Sequence, residues 1–118
     1  MRAIILLAHG SRDPVWRGCV DNVAQRVQAL DAHAIVRCAF LEWSAPDLPS
    51  VGTELAATRA SEWVVMPLFL GLGKHAREDL PRLVEQLRHD HPGVTIHCRP
   101  SAGEDPQVID LLAKMALS

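Results

Sequence analysis

Two short segments concentrate the residues that can do chemistry. They are His9-Gly10-Ser11-Arg12 and Gly71-Leu72-Gly73-Lys74-His75. Each brings a histidine, glycine-loosened backbone and a cation. Imidazole is the side chain suited to proton transfer near neutral pH, and its neutral form is a good ligand for Co, Ni, Fe or Zn. Glycine lets backbone approach a flat or anionic ligand. Arg12, Lys74 and Arg77 can hold carboxylates or phosphates. A third segment, Phe40-Leu41-Glu42, adds a carboxylate able to bind a metal or accept a proton, or to serve as half of a structural ion pair. Trp43 beside it can line a ligand pocket.

The remaining polar and soft residues read more plainly. His89 and His91 form an H-x-H at the end of a helical segment, where the helix dipole favours histidine without any metal. His33 and His97 read as surface or strand-end residues, and Trp16 and Trp63 as packing. The three cysteines, Cys19, Cys38 and Cys98, are odd in number, far apart and without a C-x-x-C pair. That argues against a structural zinc site or a disulfide framework, and buried, reduced thiols are expected. Gly71-Leu72-Gly73-Lys74 hints at a phosphate loop, but Leu68 stands where the first Walker glycine belongs and His75 where Ser or Thr should bind Mg²⁺. A histidine phosphatase places Arg-His-Gly after its first strand; here Ala8 replaces the arginine.

The elements that must position these residues repeat. Four apolar, β-rich runs, Ala3–Ala8, Ala34–Phe40, Trp63–Leu70 and Val94–Cys98, start about 30 residues apart, the length of one strand-plus-helix unit. The first three are continuous rather than alternating, as suits strands covered on both faces. Each is followed by a helix-start signal: Asp13-Pro14, Asp47-Leu48-Pro49, Asp79-Leu80-Pro81 and Asp105-Pro106. Aspartate accepts the free N–H groups of a first turn, and proline fits there because its missing N–H is not needed. Apolar faces are expected at Val15, Cys19, Val20, Val23 and Val27, at Leu80, Leu83, Val84 and Leu87, and at Val108, Ile109, Leu112 and Met115. The second helix, about 50–60, is weaker and Ala-rich.

The pattern β-α-β-α-β-α-β-α predicts an α/β fold with a three-layer α/β/α architecture. Its four-stranded parallel sheet has order 2-1-3-4, in one domain spanning 1–118. In that order the loops after strands 1 and 3 meet at the topological switch point, where ligands of open α/β sheets bind. With 118 residues the chain fits one domain, and a 48% apolar share is too high for disorder. A net charge of −2 gives no support for nucleic-acid binding. No apolar run approaches the ~20 residues of a membrane span. The first run flows into His9-Gly10-Ser11 with no signal-peptidase site, so a cytoplasmic protein is expected.

One combination is more specific than its parts. His9-Gly10-Ser11-Arg12-Asp13-Pro14 is followed by Phe40-Leu41-Glu42 with Pro46 and Leu48. Pro67-Leu68-Phe69-Leu70-Gly71-x-Gly73-x-His75 then comes with Asp79-Leu80-Pro81. In this order and spacing the segments resemble the CbiX/SirB class of sirohydrochlorin chelatases, class II tetrapyrrole chelatases that insert a divalent metal without ATP. The resemblance runs through essentially the whole chain, its C-terminal part mainly through Gly103 and the following helix. Ala8 departs from the glycine of many relatives, a small change.

The resemblance implies the short form of the class, one α/β half that pairs as a homodimer. It maps two metal-site histidines onto His9 and His75 and an acidic site residue onto Glu42. The implied substrates are sirohydrochlorin and Co²⁺, or Ni²⁺ or Fe²⁺, with no nucleotide. Gly10, Ser11, Arg12, Gly73, Lys74 and Arg77 would meet the macrocycle's carboxylates, and Trp43 and Leu72 its faces. Two other readings stay open: a non-catalytic carrier of metal or tetrapyrrole, and a phosphate-handling enzyme using His9.

Overall fold

The computed structural model describes residues Met1–Ser118. The strands are β1 (Arg2–Ala8), β2 (Ile35–Phe40), β3 (Glu62–Pro67) and β4 (Thr95–Cys98). The helices are α1 (Arg17–Leu30), α2 (Leu48–Ala56), α3 (Lys74–Asp90) and α4 (Pro106–Leu117), with 3-10 turns at Pro14–Trp16 and Ala102–Glu104. All strand pairs are parallel and the order is β2-β1-β3-β4, as the alternating pattern predicts.

The continuous apolar character of β1 reflects burial on both faces. Ala3, Ile5 and Leu7 enter the main core with Val51 and Leu55 of α2 and Val84 and Leu87 of α3. Ala8 faces the other way and packs with Val20 of α1 and Phe40. Trp63 is fully buried in the main core, and its indole N–H donates to the Ala60 carbonyl at 3.0 Å, so the one polar atom of that ring is satisfied. His91 lies against it, with ring centroids 4.9 Å apart.

Several boundaries differ from the expectation for physical reasons. The run Trp63–Leu70 stops being strand at Pro67: Leu68 N–H still donates to Leu7 O, but the Phe69 carbonyl accepts from Gly103 and the chain turns toward the β4–α4 connection. Helix α3 begins at Lys74, not after Asp79, because the extended Gly73 serves as N-cap and its carbonyl accepts from Arg77 N–H at 3.0 Å. Pro81 therefore lies inside the helix; it and Arg77, whose carbonyl it leaves without a donor, both face solvent. Helix α2 covers Leu48–Ala56, earlier than expected. Asp47 caps it through Ser50, whose hydrogen bonds hold the Asp47 carboxyl below its ordinary pKa. Asp13 caps the short 3-10 turn rather than α1 itself.

Two of the expected apolar faces are not buried. On α1 only Val20 is fully covered, and Val15, on the 3-10 turn before it, is 83% exposed. On α4, Ile109 is 53% and Met115 62% exposed, and Leu111, Leu112 and Leu117 are exposed as well. The reason is positional: α4 packs mainly on the Ala102–Glu104 turn, and no layer of this chain crosses its outer face. The cysteines are free but not the buried thiols expected. Cys19 is exposed on the open side of α1, and Cys38 and Cys98 are half-buried, with desolvation raising both thiol pKa values.

Leu7→Ala, which removes a fully buried side chain at the centre of the sheet, is expected to cost about 2–5 kcal/mol. Val15→Ala, on the exposed 3-10 turn, should change stability by less than ~0.5 kcal/mol. Urea denaturation of both variants checks the contrast.

Candidate active site

The site is built where β1 and β2 run out. Their ladder continues past the strands: Leu41 N–H donates to Ala8 O at 3.0 Å and Glu42 N–H to His9 O at 2.9 Å. Gly10 follows with φ +104°, a conformation that disfavours any side chain, and a Cβ there would overlap the Glu42 carbonyl oxygen. The two loops thus touch backbone to backbone. That contact sets His9 beside Glu42, with Nε2 2.6 Å from Oε1 and both side chains half exposed. No arginine pairs with Glu42, so its partner is the histidine.

A second clasp lies next to the first. Ser44 Oγ accepts from Ser11 N–H at 3.2 Å and donates to Ser11 O at 2.9 Å. Between Glu42 and Ser44 the chain makes a γ-turn. Ser44 N–H donates to the Glu42 carbonyl at 2.8 Å, and the central residue, Trp43, has φ +68°. The positive-φ form of this turn is rare, and a bulky residue held there carries about 1–3 kcal/mol of strain. The Arg12 guanidinium carbon sits 3.9 Å from the centroid of the Trp43 ring, and Arg12 forms no ion pair with Asp13 or Glu42. Gly10, Ser11, Arg12 and Trp43 line a cavity of about 330 Å³.

His9 also helps to line a larger, mostly apolar cavity of about 680 Å³. Its walls come from the 3-10 turn before α1 (Trp16), α1 (Val20), the Leu68–Gly71 segment and α4 (Val108, Leu112). Gly103 is required at its base, since a Cβ there would overlap the Leu70 carbonyl oxygen.

His75, expected in a loop, lies in the first turn of α3. Lys74, His75 and Arg77 are exposed, and their side chains make no hydrogen bond or ion pair within the chain. The first turn of α3 holds no acidic residue, so its positive dipole end is crowded by cations, a local cost that an anionic ligand would relieve. The structure joins His9 to Glu42 but does not add His75 to them, and no three His, Cys, Asp or Glu side chains converge. Leu72 is half-buried against the main core. Ser44 and Arg17 were not singled out from sequence. Arg17 donates to Ala45 O and lies over Phe40, steadying the same loop. A serine in a polar loop and an arginine opening a helix carry no periodicity that would reveal them.

Fold and site together define a four-stranded parallel α/β unit with its candidate site at the carboxyl ends of β1 and β2. A crystal structure of a protein named for cobalamin (vitamin B12) biosynthesis, CbiX from Marinobacter aquaeolei VT8, matches with a TM-score of 0.80 at 32% identity, covering 99% of this chain and 98% of that one. The cobalt complex of the sirohydrochlorin chelatase SirB from Bacillus subtilis subspecies spizizenii shares the fold with a TM-score of 0.81 at 22% identity. There 98% of this chain spans 50% of the other. A sirohydrochlorin cobaltochelatase from Methanococcus aeolicus is 32% identical over an alignment 140 positions long that covers 98% of each chain. The chain belongs to the CbiX family, whose family model matches residues 3–117.

Gly10→Ala should destabilise the protein by more than ~1 kcal/mol, since it adds both a positive-φ penalty and a collision with Glu42. Gly18→Ala, in α1 with open space around it, should instead stabilise by up to ~1 kcal/mol. Chemical denaturation of the pair checks both signs.

Proposed function

We propose that this chain inserts a divalent metal ion, Co²⁺ foremost and Ni²⁺ or Fe²⁺ as alternatives, into sirohydrochlorin without a nucleotide. The observation that carries the reading is the 2.6 Å contact of His9 with Glu42, beside the large apolar cavity that His9 helps to line, in a member of the CbiX family. The names of the relatives, cobaltochelatase and a cobalt-bound SirB, support the choice of metal.

The chemistry follows from the pair. An ionised Glu42 can only accept, so Nε2 of His9 carries the proton and Nδ1 keeps the lone pair for the incoming ion. The carboxylate fixes that tautomer and the orientation of the ring. His75 is the second nitrogen donor of the proposal. Together they replace water on the metal. Glu42, or a histidine once the ion has moved on, takes the protons that the pyrrole nitrogens must lose. Arg12, Lys74 and Arg77 meet peripheral carboxylates, aided by backbone at Gly10, Ser11 and Gly73. The apolar cavity accepts part of the macrocycle.

A single copy offers only half of such a cleft. The proposal therefore includes a homodimer in which residues 1–118 act as one unit and a second copy takes the place of the second half that SirB carries in one chain. The exposed apolar face of α4, continuous with the cavity beside His9, supports that surface for pairing. No helix is long and apolar enough to cross a membrane, and the proposal places the protein in the cytoplasm.

An anaerobic absorbance assay with sirohydrochlorin and Co²⁺, Ni²⁺ or Fe²⁺ tests the function. His9→Ala and His75→Ala are each expected to lower the enzymatic rate about 10²-fold or more. Binding without acceleration would replace the enzyme with a carrier. Light scattering should give twice the 13.0 kDa chain mass, and Leu111→Arg on the outer face of α4 should return the monomer mass together with lost turnover. A wild-type monomer that turns over normally would remove the dimer from the proposal.

A further inference from the structure

We infer that Trp43 is a positioning residue: it acts through Arg12, and the Arg12–Trp43 pair selects substrate by gripping one peripheral carboxylate. The inference rests on the tetrapyrrole reading above and deepens it. Three observations meet here. Trp43 is held at φ +68° in a γ-turn that its large side chain disfavours, although glycine or asparagine would adopt it more easily. The residue is 55% exposed and belongs to no core cluster, so packing does not explain the choice of tryptophan. One ring face is already taken by the Arg12 guanidinium at 3.9 Å. That stacking leaves the guanidinium edge, with its N–H fork, free for a carboxylate.

The alternatives open to Arg12 make the ring's task clear. Asp13 is its sequence neighbour and Glu42 lies on the adjoining loop, yet neither captures it. Asp13 Oδ1 instead accepts from Val15 N–H, and Glu42 is engaged by His9. Arg12 therefore lacks an internal counter-ion and lines the 330 Å³ cavity with Gly10, Ser11 and Trp43. A loose arginine would lose rotamer freedom on binding; one laid on an indole has lost much of it already. The Ser11–Ser44 clasp ties the loop bearing the arginine to the loop bearing the ring, so the pair keeps its geometry relative to His9 and Glu42. The substrate class follows: a carboxylated macrocycle whose peripheral acid reaches Arg12 while its centre lies over His9.

The test separates this role from direct stacking of Trp43 on the macrocycle. Equilibrium titration of metal-free sirohydrochlorin and steady-state Co²⁺ insertion are measured for Trp43→Gly, Trp43→Phe, Arg12→Ala and the Arg12→Ala/Trp43→Gly double variant. Trp43→Gly should fold at least as stably as wild type, because glycine accepts the positive φ, yet bind about three- to fivefold more weakly. Its KM should rise with kcat little changed, and Trp43→Phe should restore most of the loss. Arg12→Ala should weaken binding about tenfold or more, and the double variant should be no weaker than Arg12→Ala alone. Losses that multiply in the double variant, or an unaltered affinity in Trp43→Gly, would overturn the inference while leaving the chelatase reading intact. Wild-type protein that neither binds nor metallates sirohydrochlorin would overturn both.

Discussion

The contact on which the rest of the site depends is the seating of the Glu42 carbonyl on Gly10. No side chain fits between them, and Gly10 takes a φ of +104° to allow it. Backbone meeting backbone at this distance leaves little freedom, so the histidine before the glycine and the carboxylate on the facing loop must lie side by side. The same carbonyl also accepts the Ser44 N–H that closes the turn under Trp43. One oxygen atom thus organises the His9–Glu42 pair on one side and the Arg12–Trp43 pair on the other. The sheet supports this by continuing its β1–β2 ladder for two further hydrogen bonds beyond the strands. His9 and Glu42, the centre of the candidate site, are thereby mounted on the rigid end of the sheet rather than on a free loop.

The two faces of the sheet are filled unequally. One holds the continuous core built with α2 and α3; the other has a small cluster around Val20 and Phe40 under α1. The lesser filling leaves the apolar cavity beside His9 and the bare face of α4. A protein can hold such surface apart from water only by covering it or by giving it a ligand. In the proposed function both happen: the cavity takes part of a macrocycle and α4 meets a second copy. Strain follows a similar rule. Trp43 is held in an unfavourable turn at the site and not in the core, where packing would compensate it.

Much of the fold was legible in the amino-acid sequence because strand and helix patterns are local. Continuous apolar runs marked β1, β2 and β3, aspartate–proline pairs marked three of the four helix starts closely, and right-handed crossovers left 2-1-3-4 as the simplest order. The third helix start was missed because Asp79-Leu80-Pro81 carries the stronger local signal. Gly73 becomes the cap only through its extended backbone after β3. The apolar spacing of α4 correctly named an amphipathic helix, but periodicity cannot tell which element, or whether any in the same chain, will cover it. Cysteine burial failed on the same ground: residue-type averages do not know that α1 overlooks an open groove.

The sequence by itself determined the element order, the sheet topology and a short list of candidate site residues, His9, Glu42, His75 and Arg12, because these follow from residue type, spacing and chain connectivity. Tertiary structure alone decided how they are joined. It set His9 against Glu42, gave Arg12 to Trp43 rather than to Asp13, and left His75 outside the His9–Glu42 contact. Those pairings depend on two loops, separated by a whole β-α unit, meeting at one glycine. Such a contact demands a glycine at position 10, but a glycine alone does not say which distant backbone atom it makes room for.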